Sequence, residues 1–243
     1  MKIMVNGAGG RMGQVLMRKI EESGQTLCGA VDRFHPPAGG VTCPEEVLER
    51  ADVIIDFSNH EGTASLMEYA LRERIPVVIA TTGHTAEELA LIARAAENLP
   101  VFYSGNMSLG IALLTDLVRR AVAAFPGADV EIVEVHHDRK IDAPSGTALM
   151  LANAVKEVRA DAYIHAGRSG QGKRDPAEIG ISAVRMGNIV GRHEVLIATD
   201  SETISLKHEA HDRALFADGA LRAAEFLISR PAGQYDMKDL LRA

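Results

Sequence analysis

Tryptophan is absent from the 243 residues, and Phe, Trp and Tyr together make up only 4%. Any core must therefore be largely aliphatic. There are two cysteines, Cys28 and Cys43, and they fall in no metal-ligand or redox spacing. Reduced thiols in a cytoplasmic protein are the expected state. A basic excess is lacking too: 26 Lys and Arg stand against 33 Asp and Glu, a formal charge of −7. Nucleic acid is not an expected partner, because no basic face stands ready to neutralise phosphates. No apolar run approaches the roughly 20 residues of a spanning helix. No signal peptide is read either, since Met1 and Lys2 run straight into a short strand, so no membrane partner is expected. What is present is 47% hydrophobic and 24% charged. That is an ordinary globular balance, in a chain long enough for one large or two modest domains.

Short, continuous apolar runs at residues 2–6, 26–32, 52–57, 76–80 and 100–103 read as strands buried on both faces. Amphipathic segments between them, including 62–74 and 85–98, read as helices. Strands alternating with helices predict a parallel sheet with right-handed crossovers. The rhythm changes after Asn106. A helix over 108–125 leads to a strand at 129–135, and closely spaced strands follow at 181–186, 193–198 and 203–207. Few helices separate these, which predicts a mainly antiparallel sheet. The glycine-rich, basic stretch 167–176 reads as a mobile loop on that sheet, and 214–228 returns to helix. The expected architecture is α/β. A Rossmann-type dinucleotide-binding domain (1–106 plus 214–243) carries an inserted α+β mixed-sheet domain (107–213) for substrate binding and oligomerisation.

The first strand runs into GAGGRMG, residues 7–13, and then into a helix. This is the context of a dinucleotide-binding turn, in which glycines let the backbone approach a pyrophosphate. The spacing is GxxGxxG through Gly7, Gly10 and Gly13. Ala8, Gly9, Arg11 and Met12 complete the turn. Arg11 can lie over the phosphates or stand solvated. Asp32 ends the second strand, where an acid bonds the ribose 2′-hydroxyl of NADH. Its neighbour Arg33 suits the 2′-phosphate of NADPH. Use of either cofactor is the expectation. Ala80, Thr81 and Thr82 end the fourth strand, and Ser104, Gly105, Asn106 and Met107 end the fifth. Both lie on the side where such sheets bind ligands, although turn chemistry alone accounts for residues of these types.

The most informative stretch is EVHHDRKIDAPSGTA, residues 134–148. His136, His137, Arg139 and Lys140 fall at a strand end, and a helix capped by Ser145 or Thr147 begins a few residues later. Cations beside a helix N-terminus attract anions. A His-His pair alone at a strand end is more often solvated or structural than catalytic, and Asp138 and Asp142 can neutralise the cations. No metal is expected, because adjacent strand residues point to opposite faces and no third ligand stands at a familiar spacing.

Taken together, GAGGRMG, IDFS, TTG, NMSLG, EVHHDRKIDAPSGTA and FADGALRAAEFL resemble the 4-hydroxy-tetrahydrodipicolinate reductase (dihydrodipicolinate reductase) family over nearly the whole chain. The resemblance implies reduction of a small cyclic dicarboxylate by NADH or NADPH, with loss of water, in diaminopimelate and lysine biosynthesis. It implies a homotetramer built through the second-domain sheets. His136 and Lys140 match its proton-donor positions. His137, Ser145, Gly146 and Thr147 match its substrate-binding positions. Gly7, Ala8, Gly9, Gly10, Arg11, Met12, Asp32, Arg33, Ala80, Thr81, Thr82, Ser104, Gly105, Asn106 and Met107 match its cofactor contacts. Two departures stand out: Ala80, where the family commonly has glycine, and the short stretch 34–45, where some members carry a long insertion. A dehydrogenase of another small acid would leave the His-His-Lys cluster without a role. A non-catalytic nucleotide sensor would need no proton donors.

Overall fold

A computed structural model describes residues 1–243. The chain divides into two compact units, Met1–Ser108 with Arg213–Ala243, and Leu109–Asp212. In the first unit, β1 (Lys2–Asn6), α1 (Arg11–Glu22), β2 (Thr26–Val31), β3 (Val53–Asp56), α2 (Thr63–Glu73), β4 (Val77–Ile79), α3 (Ala86–Ala96) and β5 (Pro100–Tyr103) follow in order. The second unit holds α4 (Leu109–Ala124), β6 (Asp129–His136), α5 (Gly146–Lys156), β7 (Tyr163–Ala166), β8 (Glu178–Arg185), β9 (Gly191–Ala198) and β10 (Thr203–Ala210). The chain then returns to the first unit with α6 (Ala214–Leu227), β11 (Gly233–Tyr235) and α7 (Met237–Arg242).

The first sheet is six-stranded, in the order β11-β5-β4-β3-β1-β2, and every pairing is parallel. The order reverses at β1, which lies between β2 and β3. Open α/β sheets bind ligands outside the carboxyl ends of the strands at such a switch point. Continuous apolarity has its expected cause here. Ile3, Met4, Val5, Val53, Ile54, Ile55, Val77 and Val78 are all fully buried. Each such side chain contributes about 1.5–3 kcal/mol of burial. In α1 the buried stripe is Gly13, Leu16 and Ile20, spaced at three and four residues. The unit extends two residues past the expected Asn106 boundary. Gly219 of α6 shows why: a Cβ there would lie 1.8 Å from the Met107 carbonyl oxygen. The helix therefore packs directly on that backbone.

The second sheet is five-stranded, in the order β10-β9-β6-β8-β7. It is mixed, as the expected architecture has it, but with two parallel pairings beside two antiparallel ones it is not mainly antiparallel. β9 runs antiparallel to β6 and β10, whereas β8 runs parallel to β6 and β7. The correction follows from β7, a four-residue strand too short to stand out in the sequence. Together with β6 and α5 it makes a crossover unit, and a crossover returns the chain parallel. α4 and α5 build this core from Ile111, Val118, Leu151 and Val155 against Val130, Ile132, Ile179, Ile181, Val195 and Ile197. The stretch 167–176 is irregular but tied down: Arg168 pairs with Glu178, and Arg174 donates to the carbonyls of Val130 and Glu178 at 2.8 Å. No helix is long and apolar enough to cross a membrane.

Candidate active site

The glycine turn is shaped by what it lacks. Gly7 has φ of +82°, and a Cβ there would lie 2.5 Å from the Phe57 carbonyl oxygen. At Gly9 a Cβ would fall 1.9 Å from the His35 carbonyl oxygen, and at Gly13 it would fall 2.1 Å from that of Gly7. The turn is thus backbone packed against backbone, with Ala8 fully buried and Gly10 and Arg11 exposed. α3 and α5 begin with side-chain caps, from Thr85 and Ser145. α1 begins at Gly10 with no side-chain cap and no acid in its first turn. Its leading N–H groups suit a pyrophosphate. Compact glycines and an uncapped helix start together fit a dinucleotide.

Asp32 lies just past β2, and its carboxylate accepts from the N–H groups of Gly9 (3.0 Å), Phe34 (3.1 Å) and His35 (2.9 Å). Burial alone would raise its pKa, but these three donors hold it below the usual carboxylate value. The acid therefore ties the loop after β2 to the glycine turn. Exposed Arg33 stacks over Phe34 at 5.4 Å. Just past the end of β4, Ala80 and Thr81 are buried and Thr82 is exposed. The Thr81 hydroxyl turns inward to Asp56 Oδ2 at 2.7 Å. After β5, Ser104 Oγ accepts from Asn106 N, and Asn106 Oδ1 accepts from Ser108 N, which shapes the turn around Gly105. The Met107 side chain is buried in the core.

Sequence reasoning passed over Asp56 and its partners. This carboxyl, 2% exposed, accepts from Asn6 Nδ2 (2.8 Å), Ser58 Oγ (2.6 Å), Ser58 N (3.2 Å) and Thr81 Oγ1. It joins the ends of β1, β3 and β4. Burial pushes its pKa up despite those bonds, because every donor is neutral.

In the second unit, His136 and Glu134 lie two residues apart on β6 and so share a face. Glu134 is wholly buried and His136 is 8% exposed. His136 Nδ1 bonds Glu134 Oε2. Arg185 of β8 grips both oxygens of Glu134 at 2.9 Å, and Ser145 N donates to Oε1 at 2.9 Å. His193 of β9 meets His136 edge to face at 5.0 Å, and its Nε2 bonds Ser145 Oγ at 3.1 Å. Ser145 Oγ also accepts from Ala148 N, so Ser145, not Thr147, caps α5. Gly146 and Thr147 form the first turn of that helix.

Burial lowers the pKa of His136. Bonding to Glu134 opposes this, and the charges of Lys140 and Arg185 reinforce it. The second of these cations is Arg185, from a neighbouring strand, rather than Arg139 in the same turn. Arg139 points outward to Asp138 and Asn188. Lys140 pairs with Asp142 at 2.8 Å. His137 takes the opposite face from His136 and is half-buried, with its N–H on the Ile189 carbonyl. Burial pushes His193 down to about 4, so its ring is neutral at physiological pH.

Glu134, His136 and His193 are close enough for their ligand atoms to lie within 4.8 Å of one another. The third potential metal ligand that the sequence did not show therefore exists in space. The bidentate Arg185 on Glu134, however, places a fixed positive charge where a metal ion would sit. The trio reads as a proton network. Arg185 and His193 were missed because they reach Glu134 and Ser145 across strands, 51 and 48 residues away. Glu134 left a signal in the sequence: it is a charged residue in an inward register of its strand.

A parallel sheet with a glycine turn and an uncapped helix start at its switch point, beside a second sheet with a buried His-Glu pair, fits a pyridine-nucleotide-binding oxidoreductase. Family models described as the N-terminus and the C-terminus of dihydrodipicolinate reductase match residues 1–107 and 110–241. The chain belongs to that family. It is 43% identical over 246 residues to the 4-hydroxy-tetrahydrodipicolinate reductase of Caldanaerobacter subterraneus subsp. tengcongensis, covering 99% of this chain and 98% of the relative. The enzyme of the same name from Burkholderia multivorans is 41% identical over 262 residues, with 99% of each chain covered. Among solved structures, a dipicolinate-bound dihydrodipicolinate reductase from Paenisporosarcina sp. TG-14 superposes with a TM-score of 0.81 at 25% identity, covering 97% of each chain.

Proposed function

We propose that this chain reduces 4-hydroxy-tetrahydrodipicolinate to tetrahydrodipicolinate with loss of water, using NADH or NADPH, in diaminopimelate and lysine biosynthesis. The observation that carries this reading is that His136 and the Ser145 helix start both bond one buried carboxylate, Glu134, with the Lys140 charge near enough to act on the His136 ring. Met1–Ser108 with Arg213–Ala243 is the nucleotide-binding domain. Its Gly7–Met12 turn and the strand-end residues at 32–33, 80–82 and 104–107 hold the cofactor. Leu109–Asp212 binds substrate and mediates assembly. Reduced nicotinamide supplies the hydride when bound.

His136 holds a proton for the electron-rich carbon that hydride addition leaves. A substrate with two carboxylates favours the imidazolium and so opposes the effect of burial. Lys140 anchors a carboxylate and serves as the second acid. His137, and the donors of Ser145, Gly146 and Thr147 at the start of α5, bind the substrate anion. Asp32 favours the 2′-hydroxyl of NADH and Arg33 the 2′-phosphate of NADPH, so both cofactors are used. On β9, half-buried Arg192, Glu194, Leu196 and Ala198 alternate with buried residues. That half-open face suits burial in a cytoplasmic homotetramer.

The test is oxidation of reduced cofactor in the presence of freshly generated substrate. Turnover that requires the protein supports the reading. Binding of NADH without turnover makes the chain a sensor, and turnover only with another small acid makes it a different dehydrogenase.

A further inference from the structure

Glu134 is wholly buried and accepts four hydrogen bonds, and the chemistry assigned above gives it no direct part. All four of its lone-pair positions are filled. Oε2 accepts from His136 Nδ1 and Arg185 Nη1, and Oε1 accepts from Arg185 Nη2 and Ser145 N. A carboxylate can only accept, so the bond to His136 requires the hydrogen to sit on Nδ1. Neutral His136 is then held as one tautomer, with Nε2 bare. When the ring is protonated, the proton it can give away is on Nε2. That atom faces the one place on β9 without a side chain: a Cβ at Gly191 would lie 3.1 Å from it.

We propose that Glu134 is a positioning residue that serves both halves of the substrate site. It fixes the tautomer and ring orientation of His136, and through the Ser145 N–H it fixes the anion-binding start of α5. Arg185 is its clamp. This rests on the reading of His136 as proton donor. The charged and titratable groups facing His136 are Glu134 on its own strand, Lys140 in the following turn, Arg185 on β8 and His193 on β9. α5 contributes only the uncharged Ser145. Among these, Glu134 alone favours the imidazolium. Glutamine at this position keeps the shape but presents two donors where two acceptors are needed.

The experiment is carried out on the full-length protein. Long-range ¹H–¹⁵N spectra of histidine-labelled wild type report the tautomer of the neutral His136 ring. The Nδ1–H form is expected, and an Nε2–H form overturns the proposal whether or not any variant folds. Glu134→Gln should lose the Nδ1–H preference. Its kcat should fall by about 10²–10⁴-fold, as when an orienting carboxylate is lost, and the KM for substrate should rise while NADH affinity holds. The loss of kcat on raising the pH should begin at lower pH, because the partner that favours the protonated ring is gone. Wild-type kcat and pH profile in Glu134→Gln, with His136→Gln inactive, overturns the positioning role alone. Wild-type turnover in His136→Gln overturns the proton-donor reading and this proposal with it.

Discussion

Asp56 and Glu134 are both buried carboxyls near the ends of strands in parallel pairs, and their surroundings drive them in opposite directions. Asp56 receives hydrogen bonds only from neutral groups, so burial prevails and its pKa rises. Glu134 is penalised by burial as well, but the Arg185 guanidinium, Ser145 N–H and His136 outweigh that and its pKa falls. Desolvation is common to both. A fixed cation within hydrogen-bond reach decides the sign. The carboxyl of the first sheet is a structural tie among strand ends, and that of the second keeps a permanent charge beside a titrating imidazole. The same contrast runs through the two sites. One is built of backbone and missing side chains, and the other of buried side chains whose protonation matters.

The largest expected effect separates the two sites outright. His136→Gln or Lys140→Ala should lower turnover by about 10²–10⁴-fold, the range for a lost general acid. NADH affinity, read by fluorescence titration, should stay near wild type. A parallel loss of NADH binding would break the contrast. The converse variant is Gly9→Ala, whose methyl group meets the His35 carbonyl oxygen. Displacing a packed turn costs about 1–3 kcal/mol, which should weaken NADH binding roughly fivefold to a hundredfold. The pH profile of kcat should not move; a shifted profile would couple the turn to the acid after all.

His193 tests whether protonation matters to the fold as well. Its folded pKa, about 4, lies below the ordinary histidine value. Below roughly pH 6.5 the unfolded chain therefore binds the extra proton, and stability is lost as the pH falls from there towards 4. The loss attributable to this group reaches about 3 kcal/mol at the acid end. In His193→Asn the fall in urea midpoint over that window should be correspondingly shallower, and an unchanged slope would show that the ring is not buried neutral.

Arg33→Ala should reduce kcat/KM for NADPH about tenfold or more, with little change for NADH, since only the phosphate cofactor loses a charge-assisted bond. Equal losses would remove Arg33 from the cofactor site. The smallest effect belongs to Asp56→Asn. An amide can still accept from Asn6 and Ser58, so stability should stay within about 1 kcal/mol of wild type. A carboxyl with a raised folded pKa weakens the fold progressively as the pH rises from the ordinary carboxylate value up through the raised one. The variant should therefore gain on wild type with increasing pH. A large loss would show that the negative charge at Asp56, too, has a structural task.

Strand-end glycines, the second-strand acid and the charged turn at 136–140 were legible because each signal lies within a few neighbouring residues. Apolar continuity in 52–57 and 76–80 reported burial on both faces, and with it the parallel sheet. Strand order in the second unit was not legible. β7, with the half-open sequence YIHA, carries little apolar signal, yet it turns an apparent meander into a crossover. Arg185 and His193 likewise sit in unremarkable strand positions, and only register brings them to β6. Val135 pairs with Arg192, and His136 pairs with Arg185. Register between strands about 50 residues apart depends on how the two buried faces meet, which the residues around either strand alone do not show.

Register also places Gly191 beside the His136 ring, and this gives the position an unusual reach. Its hydrogen leaves Nε2 open, whereas a methyl group 3.1 Å away would crowd the ring by a few tenths of an ångström. Gly191 carries no charge, titrates nothing and has an unstrained backbone. Even so, one added carbon there would alter the water around an acidic nitrogen and the geometry of its bond to Glu134. With His136 as the proposed proton donor, the working pH would be open to adjustment from a site with no ionisable atom, by changing how much room the proton has.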